Sequence, residues 1–294
     1  MNEGLVGVEK QIELPDDVFR LLRDILYEHS GVHLDNSSKF FLENRLQLSV
    51  RRRQLDSFKD YYYFLKYDRK KDEELANFID LLTIHETYFF REAQQLKTFT
   101  EEILPELAER KRKERSLRIW SAGCSTGEEP YTIAMLIMEQ DALKGWDIEI
   151  FGSDISQRVL QSARRGVYQH SAFRSTDQRP IASYFHKEDA AYRIDDRVKK
   201  YVTFLGLNLL DTHKLALINM MDVIFCRNVI IYFDQAAKKK VIEVFHQKLK
   251  DRGYLLLGHS ESLLNISTAF ALRHFKYDLV YQKIEGGDSG ALKP

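Results

Sequence analysis

The chain of 294 residues has 44 acidic and 44 basic side chains, so its formal net charge is zero. This balance gives no global sign of a nucleic-acid or membrane-surface partner, and no run of about 18 uncharged apolar residues predicts a membrane-spanning helix. A hydrophobic fraction of 44% is enough for a core in one large or two modest domains. The first residues do not form a signal-peptide pattern. Cys124 and Cys226 lack metal-ligand spacing, so we expect free thiols, no metal site and a cytoplasmic protein.

Amphipathic helices are predicted for the first part of the chain. Pro15 and Gly31 suit the start and the stop of the first helix. Further helices are predicted from Ser37 or Ser38 to Arg53, from Ser57 to Tyr67, from Asp72 to Leu82, and from Ala93 to Glu114 with a break at Pro105. Residues 1–92 are therefore predicted as a helical N-terminal domain, and residues 93–116 as linker helices.

The second predicted helix has a basic face. Arg45 and Arg52 are seven residues apart and hence on one side of the helix, and Arg51 and Arg53 extend the cluster. Basic helix faces are often only solvated, so this face assigns no function by itself.

A strand, a glycine turn and a helix are predicted in sequence after Ser116. The apolar run at residues 117–120 indicates a buried strand, and Gly123 begins the turn. A second apolar strand ends in Asp154, roughly the spacing at which an acid binds a ribose diol in nucleotide-binding folds. The strict dinucleotide fingerprint of three glycines is absent.

Glu128 and Glu129 open the helix that follows this turn. A phosphate-binding helix start presents bare amides and positive potential, so two carboxylates there disfavour a pyrophosphate. They favour a nucleoside that carries positive charge and no phosphate. S-adenosylmethionine, with its sulfonium and ammonium groups, fits that description.

Strands and helices alternate through the rest of the chain, which predicts an α/β fold with a mostly parallel sheet. The predicted strands are residues 117–122, 148–153, 222–226, 253–258 and 278–283. Residues 167–206 interrupt this alternation, and short strands at 191–194 and 202–205 predict an inserted β element. Residues 286–294 are predicted to be a disordered tail.

With these motifs placed, the sequence resembles the chemotaxis receptor methyltransferases of the CheR family from about residue 14 to 284. The motifs that carry the resemblance are Thr87-Tyr-Phe-Phe-Arg-Glu92, Ser121-Ala-Gly-Cys-Ser-Thr-Gly-Glu-Glu-Pro-Tyr131, Gly152-Ser-Asp-Ile155, Asn208-Leu-Leu210, Phe225-Cys-Arg-Asn-Val229 with Ile231-Tyr-Phe-Asp234, and Gly258-His-Ser-Glu-Ser-Leu263. The resemblance implies a class I S-adenosylmethionine-dependent methyltransferase, Rossmann-like over residues 117–285, with a helical N-terminal domain and a small inserted antiparallel β subdomain.

The resemblance also implies the reaction, which is methyl transfer from S-adenosylmethionine to glutamate side chains of transmembrane chemoreceptors. The products are glutamate methyl esters and S-adenosylhomocysteine, the partner is the cytoplasmic helical part of the receptor, and we expect a monomer that neither inserts into membranes nor binds nucleic acid. The residues that it implies for donor binding are His85, Thr87, Arg91, Gly123, Glu129, Asp154, Ile155, Asn208, Leu209, Arg227 and Asn228. Arg91 and Tyr232 are implied at the reacting centre.

Two departures from the family pattern bear on function. Relatives often have Asn at the position of His85, so His85 either replaces that donor contact or points away. Members that bind a pentapeptide at the receptor C-terminus have a glycine-containing loop in the β subdomain, whereas the matching loop, predicted at 186–191, has no glycine. We therefore expect this protein not to depend on such a tether.

The proposed acceptor needs no general base, because a glutamate with a pKa of about 4.3 is already ionised at neutral pH. Arg91 and Tyr232 are accordingly expected to position the carboxylate rather than to move a proton. Receptor methylation segments are acidic helices, so a basic face of Arg45, Arg51, Arg52 and Arg53 is expected to attract them.

Three other functions remain open at this point. A dehydrogenase is disfavoured by the missing third glycine, and a nucleic-acid methyltransferase by the neutral charge and the absence of a target-base motif. The third is a CheR-like regulatory module that binds S-adenosylmethionine or S-adenosylhomocysteine without turnover. The presence of Arg91, Asp154, Asn228 and Tyr232 favours activity.

Overall fold

The computed structural model describes residues 11–216 and 218–285. The chain divides into two compact units after Ile84, rather than after Glu92 as predicted. The predicted tail at 286–294 lies outside the described residues. Within the described part, no helix is long and apolar enough to cross a bilayer, and no group of His, Cys, Asp and Glu side chains is arranged to hold a metal ion.

The first unit is helical. Its helices are α1 (Asp16–Ser30), α2 (Lys39–Arg52), α3 (Phe58–Tyr67) and α4 (Lys71–Leu82), with a 3-10 turn at Asn36–Ser38 before α2. Gly31 ends α1 in a left-handed conformation (φ 75°), which glycine adopts without a steric penalty. Ser57 caps α3 by accepting a hydrogen bond from the Asp60 amide. The helix ends predicted from these residue types agree with the structure to within one or two residues.

The second unit begins without helix and then forms α5 (Ala93–Thr98), a π-helical turn (Phe99–Ile103) and α6 (Leu104–Arg110). Pro105 lies in the first turn of α6. A proline has no N–H to donate to the preceding turn, so the regular bonding is interrupted there. The predicted break at Pro105 is thus found as a π-helical turn, and the helix ends at Arg110 rather than Glu114.

A seven-stranded sheet forms the centre of the second unit, in the order β6-β2-β1-β7-β8-β10-β9. Its strands are β1 (Ser116–Ala122), β2 (Asp147–Asp154), β6 (Val202–Gly206), β7 (Met221–Cys226), β8 (Leu249–Leu257), β9 (Phe270–His274) and β10 (Leu279–Lys283). The pairs from β6 to β8 are parallel, whereas β10 is antiparallel to both of its neighbours.

All five predicted strands are present, but the assignment of residues 202–205 to the inserted element is wrong. These residues form β6, which pairs with β2 at the edge of the main sheet, with Val202 opposite Ile150. Strand β9, also at an edge, was not predicted. A short edge strand alternates in polarity, and alternation alone does not specify which sheet it joins.

The inserted element is a three-stranded antiparallel sheet in the order β3-β5-β4, made of β3 (Val167–Gln169), β4 (Phe185–Glu188) and β5 (Ala191–Ile194). The loop predicted at 186–191 is shorter than expected, because only Asp189 and Ala190 separate the two strands. The other helices of this unit are α7 (Glu128–Met138), α8 (Gln157–Arg165), α9 (Gln178–Tyr184), α10 (Asp196–Lys199), α11 (Thr212–Leu215) and α12 (Gln235–Lys248).

Candidate active site

The strand order reverses beside β1, because the chain moves from β1 to β2 and β6 on one side and returns to β7 on the other. In open α/β sheets the crevice at the carboxyl ends of the strands at such a point is the usual ligand site. Gly123 follows β1, Asp154 ends β2, and Arg227 follows β7. The topology therefore brings three of the predicted donor-site residues to one edge of the sheet.

The turn after β1 requires glycine at two positions. Gly123 and Gly127 have φ of 80° and 93°, in the left-handed region that side chains disfavour. A Cβ on Gly123 would overlap the Val229 side chain, and one on Gly127 would lie 2.8 Å from the Ala163 Cβ. These glycines thus allow close packing between parts of the protein itself.

Asp154 is buried, and its carboxylate is oriented by two backbone amides. Its Oδ2 accepts from the Ser125 amide at 2.9 Å, and its Oδ1 accepts from the Ser156 amide at 3.0 Å. Ser125 has a left-handed backbone (φ 49°), and its hydroxyl donates to the His85 carbonyl at 3.1 Å. The acid at the end of β2 is therefore held in one orientation and tied to the start of the second unit.

Arg227 connects the glycine turn to residues 87–92, which we call the 87–92 segment. Its Nε donates to Glu129 Oε2 at 2.6 Å, and its Nη1 donates to the Arg91 carbonyl at 2.9 Å and lies 3.5 Å from Glu92 Oε2. Glu129 Oε1 also accepts from the Ser121 hydroxyl at 2.7 Å. The guanidinium is buried, and a buried charge is tolerated only with partners of this kind.

Glu128 does not contribute to this network. Its carboxylate accepts from the Thr126 hydroxyl, at 2.9 and 2.7 Å, and burial raises its pKa to about 7. The prediction that both acids present negative charge at the helix entrance therefore needs correction. Glu129 is paired with Arg227, and Glu128 is a buried carboxyl that is only partly ionised at neutral pH.

The 87–92 segment is held by its neighbours in a conformation that is not intrinsically favoured. Phe90 and Glu92 have φ of 58° and 59°, which costs free energy for residues other than glycine. The Phe89 ring is fully buried and stacks on Phe173 with centroids 5.1 Å apart. The Phe90 amide donates to the Thr132 hydroxyl at 3.2 Å. Contacts on both sides thus fix the backbone that carries Arg91.

Arg91 and Tyr232 lie near each other. Burial raises the pKa of the Tyr232 hydroxyl, and the positive charge of Arg91 acts against that rise. Arg91 Nη1 donates to the Glu86 carbonyl at 3.0 Å. Neither side chain is fully buried. A guanidinium and a hydroxyl, each partly exposed, therefore lie within electrostatic reach of each other.

Most of the remaining predicted donor-site residues follow strand ends, whereas His85 and Thr87 lie before α5. The Asp154 carbonyl accepts from the Leu207 amide, which places Asn208 and the buried Leu209 just beyond β6. Ile155 and Thr87 are half-buried. Asn228 has a left-handed backbone (φ 61°), and within the described residues its side-chain Oδ1 is buried without a hydrogen-bond partner.

Glu261 is a functional candidate that the sequence motifs contained but to which they assigned no role. Its carboxylate accepts from the backbone amides of Asn228 at 2.8 Å, Val229 at 2.9 Å, Ile231 at 3.3 Å and Gly258 at 2.7 Å. Three of these bonds hold the loop after β7 in place, and the fourth, from Gly258, lies within the turn that carries Glu261. The loop that carries Asn228 and Tyr232 is thus fixed by one acidic side chain from the turn after β8.

The predicted basic face in the helical unit divides into two pairs. Arg45 and Arg52 are exposed. Arg53 forms an ion pair with the buried Glu74, with Nη2 to Oε2 at 2.6 Å, and Arg51 is half-buried. Arg53 thus has a clear role within the protein, whereas Arg45 and Arg52 are available to a partner.

Comparison with known proteins gives the family. Residues 85–278 match the model described as the CheR methyltransferase SAM binding domain, and residues 17–83 match the CheR methyltransferase all-alpha domain. The chain belongs to the CheR methyltransferase family.

Curated relatives of this CheR protein match over nearly their full length. They include a chemotaxis protein methyltransferase 2 of Vibrio cholerae, 36% identical over 95% of this chain and 97% of that protein. Chemotaxis protein methyltransferases of Borreliella burgdorferi and Escherichia coli are 35% and 33% identical, over 84% and 92% of this chain and 88% and 92% of those proteins. The protein is therefore a methyltransferase that uses S-adenosylmethionine.

The residues of the crevice fit this donor. Asp154 offers a fixed carboxylate at the position that suits a ribose diol. The buried Asn228 Oδ1 is an acceptor whose exclusion from water is costly unless a ligand donates to it. Glu129, in the first turn of α7, is already neutralised by Arg227. The donor carries no phosphate, and at this helix start it meets neither a phosphate-binding site nor an unpaired buried charge.

Proposed function

We propose that this CheR protein transfers a methyl group to glutamate side chains in the cytoplasmic helices of chemoreceptors, giving glutamate methyl esters. The observation that carries the proposal is the adjacency of Arg91 and Tyr232, next to a crevice whose residues fit the donor. An anionic acceptor oxygen finds a guanidinium and a hydroxyl there, and both donate hydrogen bonds to carboxylates.

In this reaction the protein must align the reacting groups and does not need to transfer a proton. A glutamate acceptor is ionised at neutral pH, and the bound donor supplies an activated methyl group on a sulfonium. Arg91 and Tyr232 orient one carboxylate oxygen so that the other faces the crevice, and such alignment supplies several kcal/mol of barrier reduction. A tyrosine hydroxyl with its ordinary pKa of about 10 is protonated at neutral pH, and burial raises the pKa of Tyr232 further. The hydroxyl therefore acts as a hydrogen-bond donor and does not repel the acceptor.

Radiolabelled methyl transfer to receptor-containing membranes, with base-labile product as the readout, tests this function. Tyr232→Phe is expected to lower kcat while the affinity for S-adenosylhomocysteine in calorimetry stays unchanged. An unaltered rate would remove Tyr232 from the mechanism. Binding of S-adenosylhomocysteine without any labelled product would instead favour a regulatory module without turnover.

We further propose that Arg45 and Arg52 attract the acidic receptor helix. Both are exposed, and contacts between exposed charges weaken as salt screens them. Arg45→Gln and Arg52→Gln are each expected to raise the KM for the receptor and to reduce its dependence on salt. The structure gives Arg53 another task, in the pair with Glu74, so its variants are poor probes of receptor binding.

The inserted β sheet bears on whether a receptor tether is needed. Strands β4 and β5 are joined by Asp189 and Ala190 alone, without the glycine-containing loop of pentapeptide-dependent relatives. We propose that methylation by this protein does not require the receptor C-terminal pentapeptide. Calorimetric titration with such a peptide is expected to give no binding heat, and a measurable affinity would contradict the proposal.

A further inference from the structure

Two arginine side chains lie against the ring of Tyr88. The guanidinium carbon of Arg174 is 4.0 Å from the ring centroid, and that of Arg91 is 5.5 Å away. Both distances are within the range of a cation–π interaction. Arg91 belongs to the 87–92 segment, whereas Arg174 follows the 3-10 turn His170–Phe173 of the inserted region. The mechanism described above uses Arg91 and leaves Arg174 without a role.

The backbone on both sides of Arg174 is attached to the 87–92 segment. The Phe89 amide donates to the Ala172 carbonyl at 2.9 Å, and the Thr176 hydroxyl donates to the Phe89 carbonyl at 3.3 Å. Phe173 stacks on Phe89 between these two bonds. The position of Arg174 relative to Arg91 is therefore set by the fold and does not depend on a long flexible loop.

Glu86 engages both arginines. Its carboxylate Oε1 lies 2.6 Å from Arg174 Nη2, and its carbonyl accepts from Arg91 Nη1 at 3.0 Å. Its charge also raises the pKa of Tyr232, so Glu86 lies close to the reacting centre. The Glu86 and Arg174 side chains are 68% and 46% exposed. An ion pair this open to solvent contributes little net free energy and exchanges readily for another anion.

The charges of this group suit two acceptor carboxylates once Glu86 has been displaced. Arg91 and Arg174 together carry a formal charge of +2, which balances the reacting glutamate and one further carboxylate. A planar guanidinium held over an aromatic ring keeps its edge free to bind a carboxylate.

We propose that Arg174 is a substrate-binding residue that holds a second carboxylate of the acceptor segment, next to the glutamate that reacts between Arg91 and Tyr232. Glu86 occupies this position until the acceptor displaces it. The inference rests on the proposed function, and it narrows the substrate to acidic segments in which two carboxylates lie close together.

Steady-state methyl transfer to receptor-containing membranes tests the proposal with the full chain. Arg174→Gln is expected to raise the receptor KM about tenfold, as loss of a charge-assisted contact does, with kcat and the affinity for S-adenosylhomocysteine unchanged. Glu86→Gln is expected to lower the receptor KM about threefold, because the competing anion is gone. In the Arg174→Gln background, Glu86→Gln is expected to have no effect, since the two residues act through one ion pair.

Arg179→Gln provides a control of equal charge change. Arg179 also lies in the inserted region and forms an exposed pair, with Nη2 3.3 Å from Glu139 Oε2, and it does not contact Tyr88 in the described structure. The receptor KM of the Arg179→Gln variant is expected to equal that of the wild type. Tyr88→Phe keeps the ring and is likewise expected to leave KM unaltered, whereas Tyr88→Leu is expected to raise it.

The possible outcomes distinguish a failure of the proposed methyl transfer from a failure of the proposed role of Arg174. A wild type that binds S-adenosylhomocysteine but does not methylate receptors would overturn the proposed function and this inference with it. An active wild type with the same receptor KM in Arg174→Gln and Arg179→Gln would overturn the inference alone. Additive effects of Arg174→Gln and Glu86→Gln would also contradict it, because they would show that Glu86 does not compete at Arg174.

Discussion

Replacement of Glu128 by Gln is expected to stabilise the second unit at high pH and to leave donor binding intact. Burial raises the pKa of this carboxyl from its usual 4.5 to about 7, so the folded protein binds a proton more tightly than the unfolded chain. Stability is then lost as the pH rises from 4.5 to 7. A shift of this size corresponds to about 3 kcal/mol at full ionisation.

The glutamine variant avoids that penalty but still buries a polar amide, so we expect a net gain of about 1–3 kcal/mol above pH 7. The gain is expected to shrink toward zero near pH 5, where the native carboxyl is protonated as well. Both tryptophans, Trp120 and Trp146, belong to the second unit. Urea unfolding followed by tryptophan fluorescence at pH 5, 6, 7 and 8 therefore reports this unit alone.

Glu129→Gln is the matched control one residue away. It removes the carboxylate charge closest to the buried Arg227 guanidinium, so we expect destabilisation of about 3 kcal/mol and weaker binding of S-adenosylhomocysteine. A Glu128→Gln gain that does not change with pH would refute the reasoning about burial. An equal loss of donor affinity in both variants would show that both carboxylates at the start of α7 contribute to donor binding.

The remaining predictions concern side chains that hold functional segments. Glu261→Gln places an amide against backbone N–H groups, and we expect donor affinity and methylation rate to fall together, about tenfold in calorimetry and radiolabel transfer; an unaltered rate would contradict this. Arg53→Ala is expected to lower the unfolding free energy by about 2–3 kcal/mol in far-UV circular dichroism, because Glu74 stays buried, whereas Arg52→Ala changes it by under about 0.5 kcal/mol. Phe89→Ala is expected to cost about 3–5 kcal/mol by tryptophan fluorescence.

The sequence predicted the buried parallel strands well because such strands are nearly continuous apolar runs. Strand β7 is buried at every residue and was found within one residue. Strand β9 has only one buried residue, Phe270, so its sequence carries little apolar signal. Strand β6 was recognised as a strand but assigned to the wrong sheet, since the pairing with Ile150 depends on how the chain returns from the insert.

The candidate site was predictable where a motif placed a side chain directly after a strand, as with Asp154 and Arg227. Adjacent helical residues point about 100° apart, so the pattern could not tell that Glu129 meets Arg227 while Glu128 turns to Thr126. The role of Glu261 was also hidden. Three of its four partners are backbone N–H groups 30 to 33 residues earlier in the chain, and a backbone donor leaves no mark in a residue pattern.

The burial of Phe89 among the aromatic rings of the insert has a consequence for protein engineering. Its ring meets Phe173, Phe185 and Tyr168 with centroids 4.8–5.1 Å apart. A chimera that takes the insert from another family member surrounds Phe89 with different side chains, and Arg91 is then displaced. Such chimeras are therefore expected to be active only when the 87–92 segment and the insert come from the same protein.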